Sequence, residues 1–142
     1  MPTLWVRHAP TSAYLVRRSV AESLRLAGVS DADTFNAALI ASELVGNAVR
    51  HAPALPSGHL VIEWSVSGAA YQIAVTDGGA IRSLSIPPAD VSDTAGRGLS
   101  IVGAISSEWG VTPGEGTTTV WARANLAAAP RRPLSDQVCA AH

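Results

Sequence analysis

The sequence predicts an α+β fold, a two-layer α/β sandwich in which helices cover one face of a mixed, mostly antiparallel sheet. Helical spacing of apolar residues dominates the first third of the chain, and short strand-like runs bounded by glycine or proline follow it. Helices grouped before a run of strands favour one helix layer packed on one sheet. The 142 residues, of which 47% are hydrophobic and 15% charged, suit one such domain.

The elements can be assigned in order from local signals. Gly28 ends the first helix, Ser30 or Asp31 caps the second, and Pro53 lies just beyond its end. The expected elements are a strand at Thr3–Arg7, a helix from Pro10–Ser12 to Leu26, a helix at Ala32–His51, strands at Leu60–Val66 and Tyr71–Val75, a helix at Gly98–Ile105, and strands at Trp109–Val111 and Thr117–Ala124. Ala80–Ala95 lacks periodicity and is expected to be a mobile loop. The chain from residue 127 onward is expected to be an unfolded tail.

The second helix carries a narrow polar stripe. At about 100° per residue, Asn36, Glu43, Asn47 and Arg50 fall on one side of it. Most of its other residues are small or apolar, Phe35 among them, so we expect a buried helix whose polar stripe faces a cavity or a partner.

Glu43 and Asn47 lie four residues apart, which places their side chains on one helix face about 5–6 Å apart. Phosphoryl transfer uses a magnesium ion and a group that orients or deprotonates the attacking hydroxyl. An amide oxygen suits the ion and a carboxylate suits the base. The alternative is a pair of solvated polar residues, which the apolar surroundings disfavour because an unpaired buried carboxylate is costly.

Two glycine-containing segments follow. Asp77 ends an apolar strand before Gly78 and Gly79, where a carboxylate can accept a hydrogen bond from an exocyclic amine and glycine lets backbone approach a flat base. A simple Asp-Gly turn is the competing interpretation. Gly96, Arg97 and Gly98 precede a short helix whose free N–H groups favour phosphate, although a flexible hinge explains them equally well.

Other residue types favour structural roles. The histidines lack metal-ligand spacing, the four tryptophans lie on predicted strands, and His51 suits the end of a helix. Cys139 is the only cysteine, so an internal disulfide is excluded. The formal net charge is −1 without a basic stripe and no apolar run reaches membrane-spanning length, so we expect no nucleic-acid contact, no membrane and a cytoplasmic setting.

Together these segments resemble the GHKL ATPase superfamily, named for gyrase, Hsp90, histidine kinases and MutL. The likeness is strongest to bacterial anti-sigma-factor serine/threonine kinases of the RsbW and SpoIIAB kind. It covers about residues 3–124 and implies a Bergerat-type sandwich. The matching motifs are L-I-A-S-E-L-V-G-N-A-V-R-H-A at Leu39–Ala52, V-T-D-G-G at Val75–Gly79, G-R-G-L-S-I-V-G-A-I at Gly96–Ile105 with Trp109-Gly110, and G-T-T-T-V-W-A-R at Gly116–Arg123.

The resemblance implies a site that binds ATP with Mg²⁺. Glu43 would be the general base, Asn47 the magnesium ligand, and Asp77 the partner of the adenine amine. The remaining expected nucleotide-binding residues are Arg50, Gly79, Gly96, Arg97, Gly98, Leu99 and Thr118. Ala80–Ala95 would be the ATP lid.

The family resemblance also implies a function. Its members phosphorylate a serine on a small antagonist of the STAS type and alternately sequester a sigma factor, usually as homodimers. This chain departs from the family pattern, since Ala80 and Ile81 follow the first glycine box and the lid has no lysine. The alternative is therefore a nucleotide-binding regulatory module that acts by protein binding without phosphate transfer.

Overall fold

The computed structural model describes residues 1–79 and 94–136, with only the backbone described for residues 94–98. Its elements, in chain order, are β1 (Thr3–Arg7), α1 (Ser12–Leu26), α2 (Asp31–His51), β2 (His59–Ser67), β3 (Ala70–Asp77), α3 (Thr94–Ile105), β4 (Glu108–Pro113) and β5 (Thr118–Asn125). Every helix and strand expected from the sequence is present, and most boundaries agree within two residues.

The strands form one five-stranded sheet in the order β1-β2-β3-β5-β4, and every described neighbouring pair is antiparallel. Burial alternates along the strands, so one face of the sheet is packed. Leu4, Ile62, Val75 and Val120 are register partners across four strands and are all buried. The α+β sandwich is confirmed, and its sheet is more uniformly antiparallel than expected.

The helix α2 lies at the centre of the helix layer. It packs against α1 and α3 and contacts β3 in the middle of the sheet. Four apolar residues of α2 are fully or almost fully buried: Ile40, Ala41, Leu44 and Val45. The polar positions of α2 are therefore carried on an element that the hydrophobic core fixes firmly.

The ends of α1 and α2 agree with the sequence signals. Gly28 has a φ of 84°, a left-handed conformation that glycine adopts without strain. The side chain of Ser30 accepts a 3.2 Å hydrogen bond from the Asp33 backbone N–H, so Ser30 is the cap of α2.

Two expectations about the helices were wrong. Phe35 is 57% exposed, and Arg17 stacks on its ring with 5.6 Å between the guanidinium carbon and the ring centroid. The helix α2 is thus exposed to solvent on one side near its start. The third helix begins at Thr94, four residues earlier than expected, because the glycines at 96 and 98 adopt helical backbone.

The segment after β5 has no helix or strand, yet it contacts the rest of the domain. The Ala127 N–H donates to Asp33, and Arg132 donates to the Ala27 carbonyl through its backbone and to the Leu26 carbonyl through its side chain. Leu134 packs against the core. Residues 127–132 therefore lie on the α1–α2 junction, and Asp136 pairs with the N-terminal amine of Met1. Cys139 lies outside the described residues.

No helix in the described part of the chain is long and apolar enough to cross a membrane. Within the same residues no group of histidine, cysteine and acidic side chains has the arrangement of a metal site.

Candidate functional site

Just beyond the end of the central strand β3, Gly79 is hydrogen-bonded to side chains of both β3 and β5. Asp77 and Thr118 are register partners at this end of the sheet, and both are buried. The Asp77 carboxylate accepts a 2.7 Å hydrogen bond from the Gly79 N–H, and the Thr118 hydroxyl donates a 2.7 Å bond to the Gly79 carbonyl. Three residues expected to bind nucleotide are therefore held together in one hydrogen-bonded group.

Gly78, between Asp77 and Gly79, has no room for a side chain. Its N–H donates a 2.9 Å hydrogen bond to the Pro53 carbonyl. A Cβ built on Gly78 would lie 2.0 Å from the Ala54 carbonyl oxygen, which is far inside van der Waals contact. The segment packs on the loop after α2, and the next described element along the chain is α3 and not a strand paired with β3, which disfavours a simple hairpin turn.

Gly79 is tight for a different reason. A Cβ at this position would lie 2.8 Å from Asp77 Oδ1, the atom that accepts the Gly79 hydrogen bond. Glycine here leaves the Asp77 carboxylate in its present orientation. Both glycines of the segment are thus required by close approach, the first by backbone and the second by the carboxylate.

Glu43 and Asn47 lie on α2, and both are half-buried. Neither side chain has a hydrogen-bond or ion-pair partner among the described residues. The C-terminal end of α2 leads into the loop that carries Pro53 and Ala54, so this end of the helix lies beside the Gly78 segment. Arg50 is exposed, and its guanidinium folds back to 3.4 Å from the position of a Cβ on Gly46.

The second glycine segment lies inside α3. Of these residues only Gly96 lies in the first turn of α3, where backbone N–H groups have no carbonyl partner within the helix. The expectation that residues 96–98 precede the helix was therefore wrong, since the N–H groups of residues 97 and 98 lie within it. Leu99 is buried, with 8% of its surface exposed. The side chain of Arg97 lies outside the described part of the chain. Residues 80–93, the greater part of the expected lid, also lie outside it, whereas Thr94 and Ala95 belong to α3.

The sequence interpretation missed two contributors to this site. The Ala54 carbonyl determines the glycine at position 78, and the His8 ring contacts the Ala52 carbonyl at 2.6 Å. Neither residue belongs to a recognisable motif, because the His8 ring and the Ala54 carbonyl each contact backbone that is distant in sequence. Pro53 after the helix was the one signal that marked this loop.

Comparison with known proteins supports the same assignment of elements. The sequence model described as "Histidine kinase-like ATPase domain" matches residues 6–124. No curated protein has significant sequence similarity to the chain.

One similar solved structure is that of the RsbU and RsbW domains of Rv1364c from Mycobacterium tuberculosis. It superimposes with a TM-score of 0.61 at 24% sequence identity and covers 96% of this chain. This chain spans 35% of the length of that one, so the likeness concerns the fold of one region.

Proposed function

Because the chain belongs to the histidine kinase-like ATPase domain family, we propose that it binds ATP with Mg²⁺ and phosphorylates a serine of a small protein partner. The observation that supports this most is the fixed Asp77–Gly79–Thr118 group beside the end of α2. A buried carboxylate whose orientation is fixed by a backbone N–H would accept a hydrogen bond from the adenine amine.

The residues of α2 suit the phosphate end of the nucleotide. Asn47 offers an amide oxygen of the kind Mg²⁺ accepts, and its lack of a partner among the described residues leaves that oxygen available. The bound ion would neutralise charge on the phosphate oxygens. Glu43, one turn earlier, would orient the serine hydroxyl and take its proton as the phosphoryl group is transferred.

The remaining predicted residues complete the proposed site. The free N–H groups in the first turn of α3, which ends at Gly96, would contact phosphate, with Arg97 adding a charged contact, and Gly98 stays a predicted nucleotide-binding residue. Arg50, Gly79 and Leu99 stay predicted nucleotide-binding residues, and residues 80–93 stay the predicted lid.

The regulatory role is part of the same proposal. The chain would phosphorylate a STAS-type antagonist, sequester a sigma factor when that antagonist is phosphorylated, act in the cytoplasm and form a homodimer. The alternative is a module that holds its partner and uses ATP as a ligand only. The motif departures at Ala80 and Ile81 favour that alternative.

Glu43→Ala separates the two functions. In the kinase, the variant keeps ATP affinity by calorimetry and loses phosphate transfer to a candidate antagonist. If the wild-type chain binds a sigma factor but transfers no phosphate to any cognate antagonist, the module is correct. A chain that binds no adenine nucleotide at millimolar concentration would refute both nucleotide-dependent proposals.

A further inference from the structure

His8 lies at the end of β1 and holds both ends of the loop between α2 and β2. Its backbone N–H donates a 3.3 Å hydrogen bond to the Gly58 carbonyl. Its ring Nε2 lies 2.6 Å from the Ala52 carbonyl, and since a carbonyl only accepts, Nε2 must carry the proton. His8, the residue that follows β1, thus contacts the chain where it leaves α2 and where it enters β2.

The inner side of this loop supports the Gly78 segment. Ala52 is the first residue after α2, and the next two residues provide the carbonyls that contact Gly78. Residues 52–54 are therefore held by His8 on one side and by Gly78 on the other. A displacement of the loop would remove the support on which Asp77 and Gly79 rest.

We propose that His8 is a positioning residue of the nucleotide site, which holds the Ala52–Ala54 backbone against Gly78 and so keeps Asp77 oriented toward an adenine base. This rests on the proposed nucleotide site. Loss of the His8 contact lets the Asp77 carboxylate adopt several orientations. Nucleotide binding then becomes weaker and less selective for adenine over guanine, while the phosphate contacts are retained.

Three substitutions at His8 test the position of the donor. His8→Gln places an amide nitrogen near the Nε2 position, whereas His8→Asn places it near Nδ1, too short to reach Ala52, and His8→Leu removes it. We expect His8→Gln to keep wild-type ATP affinity. His8→Asn and His8→Leu should weaken ATP binding about 3- to 10-fold and reduce the ratio of ATP to GTP affinity.

His59→Ala is the matched control. The His59 ring contacts Ser57 in the same loop but not the carbonyls that contact Gly78, so its removal should leave the affinity ratio unchanged. Calorimetry is performed on variants whose folding is verified by circular dichroism. If His8→Leu does not fold, the comparison of the Asn and Gln variants decides, and equal affinity and selectivity in these two would overturn the proposal.

Amide hydrogen exchange keeps this test separate from the proposed function. The Gly78 and Gly79 amides are protected by Pro53 and Asp77, and His8→Asn should raise their exchange rates while His8→Gln should not. If the wild-type chain binds no nucleotide, the proposed function fails and so does a nucleotide role for His8. Unchanged exchange in His8→Asn would show that His8 does not hold the loop at all.

Discussion

Thr118 and Asp77 hold Gly79 from opposite ends of one residue, since the Thr118 hydroxyl bonds its carbonyl and the Asp77 carboxylate bonds its N–H, each at 2.7 Å. The two side chains come from neighbouring strands that are 41 positions apart in sequence. The two hydrogen bonds hold the Gly79 backbone between β3 and β5, and the bond from the Gly79 N–H orients the Asp77 carboxylate.

Asp77→Asn should weaken adenine-nucleotide binding by about 1–3 kcal/mol, because the amide replaces a charged acceptor at the proposed adenine contact. Titration calorimetry with ATP and magnesium measures the change. Asp31→Asn, in the exposed first turn of α2, serves as control and should bind like the wild type. Equal affinity in Asp77→Asn and wild type would remove the adenine assignment.

Thr118→Val should lower nucleotide affinity by about 0.5–1.5 kcal/mol, because valine keeps the shape and leaves the Gly79 carbonyl without its donor. Thr119→Val is a close control, since its hydroxyl bonds Thr76 at 2.7 Å on the other face of the sheet. Calorimetry on both variants should show a loss in the first only. A similar loss in both would point to a general effect on β5.

Gly78→Ala should destabilise the fold by about 1–3 kcal/mol, because its methyl group overlaps the Ala54 carbonyl oxygen. Gly103→Ala should have the opposite sign and stabilise by up to about 1 kcal/mol, since Gly103 is inside α3 and its nearest described neighbour is 3.8 Å from the new Cβ. Urea unfolding measures both. A neutral Gly78→Ala would show that the loop at Ala54 moves freely.

Truncation after Leu126 should leave a folded domain that is about 1–3 kcal/mol less stable than the full chain. The shortened chain loses the Arg132 bonds to the end of α1, the Ala127 bond to Asp33 and the packing of Leu134. Thermal unfolding of the two chains provides the comparison. Equal stability would support the original expectation of an unfolded tail.

Tyr71 should ionise in the folded state only near pH 12, because burial and then the charge of Asp33 raise its pKa from 10.0 to about 12. The unfolded state loses this proton first, so Tyr71 contributes stability below pH 10 that is lost as the pH rises toward 12. Phenolate absorbance follows the ionisation. The free energy of unfolding of Tyr71→Phe should fall less steeply with pH in this range than that of the wild type. An equal slope in the two proteins would contradict the assignment.

The fold could be predicted largely from sequence because local signals coincide with element ends. Gly28 and Ser30 each mark a helix boundary that the backbone confirms. The start of α3 could not be predicted, since glycine has a poor helix propensity and positions 96 and 98 are helical only in the tertiary context.

Part of the candidate site could likewise be predicted from sequence, and part could not. Asp77, Gly79 and Thr118 were found because their motifs are local, and the structure brings them together. The His8 ring contacts the Ala52 carbonyl, and the Ala54 carbonyl contacts the Gly78 backbone. Each pair is more than 20 residues apart in sequence, a separation that no periodicity records. The exposure of Phe35 was missed because helical spacing does not show where neighbouring elements end.

Both edges of the sheet are short. The strand β1 has five residues and ends in Arg7, and β4 has six residues and ends in Pro113, which has no N–H to offer. Each edge therefore exposes only a short row of unpaired backbone groups, which ends at a charged residue or at proline. Such edges disfavour edge-to-edge pairing between molecules and hence aggregation. The domain should consequently tolerate the high protein concentrations that calorimetric titration of a weak ligand demands.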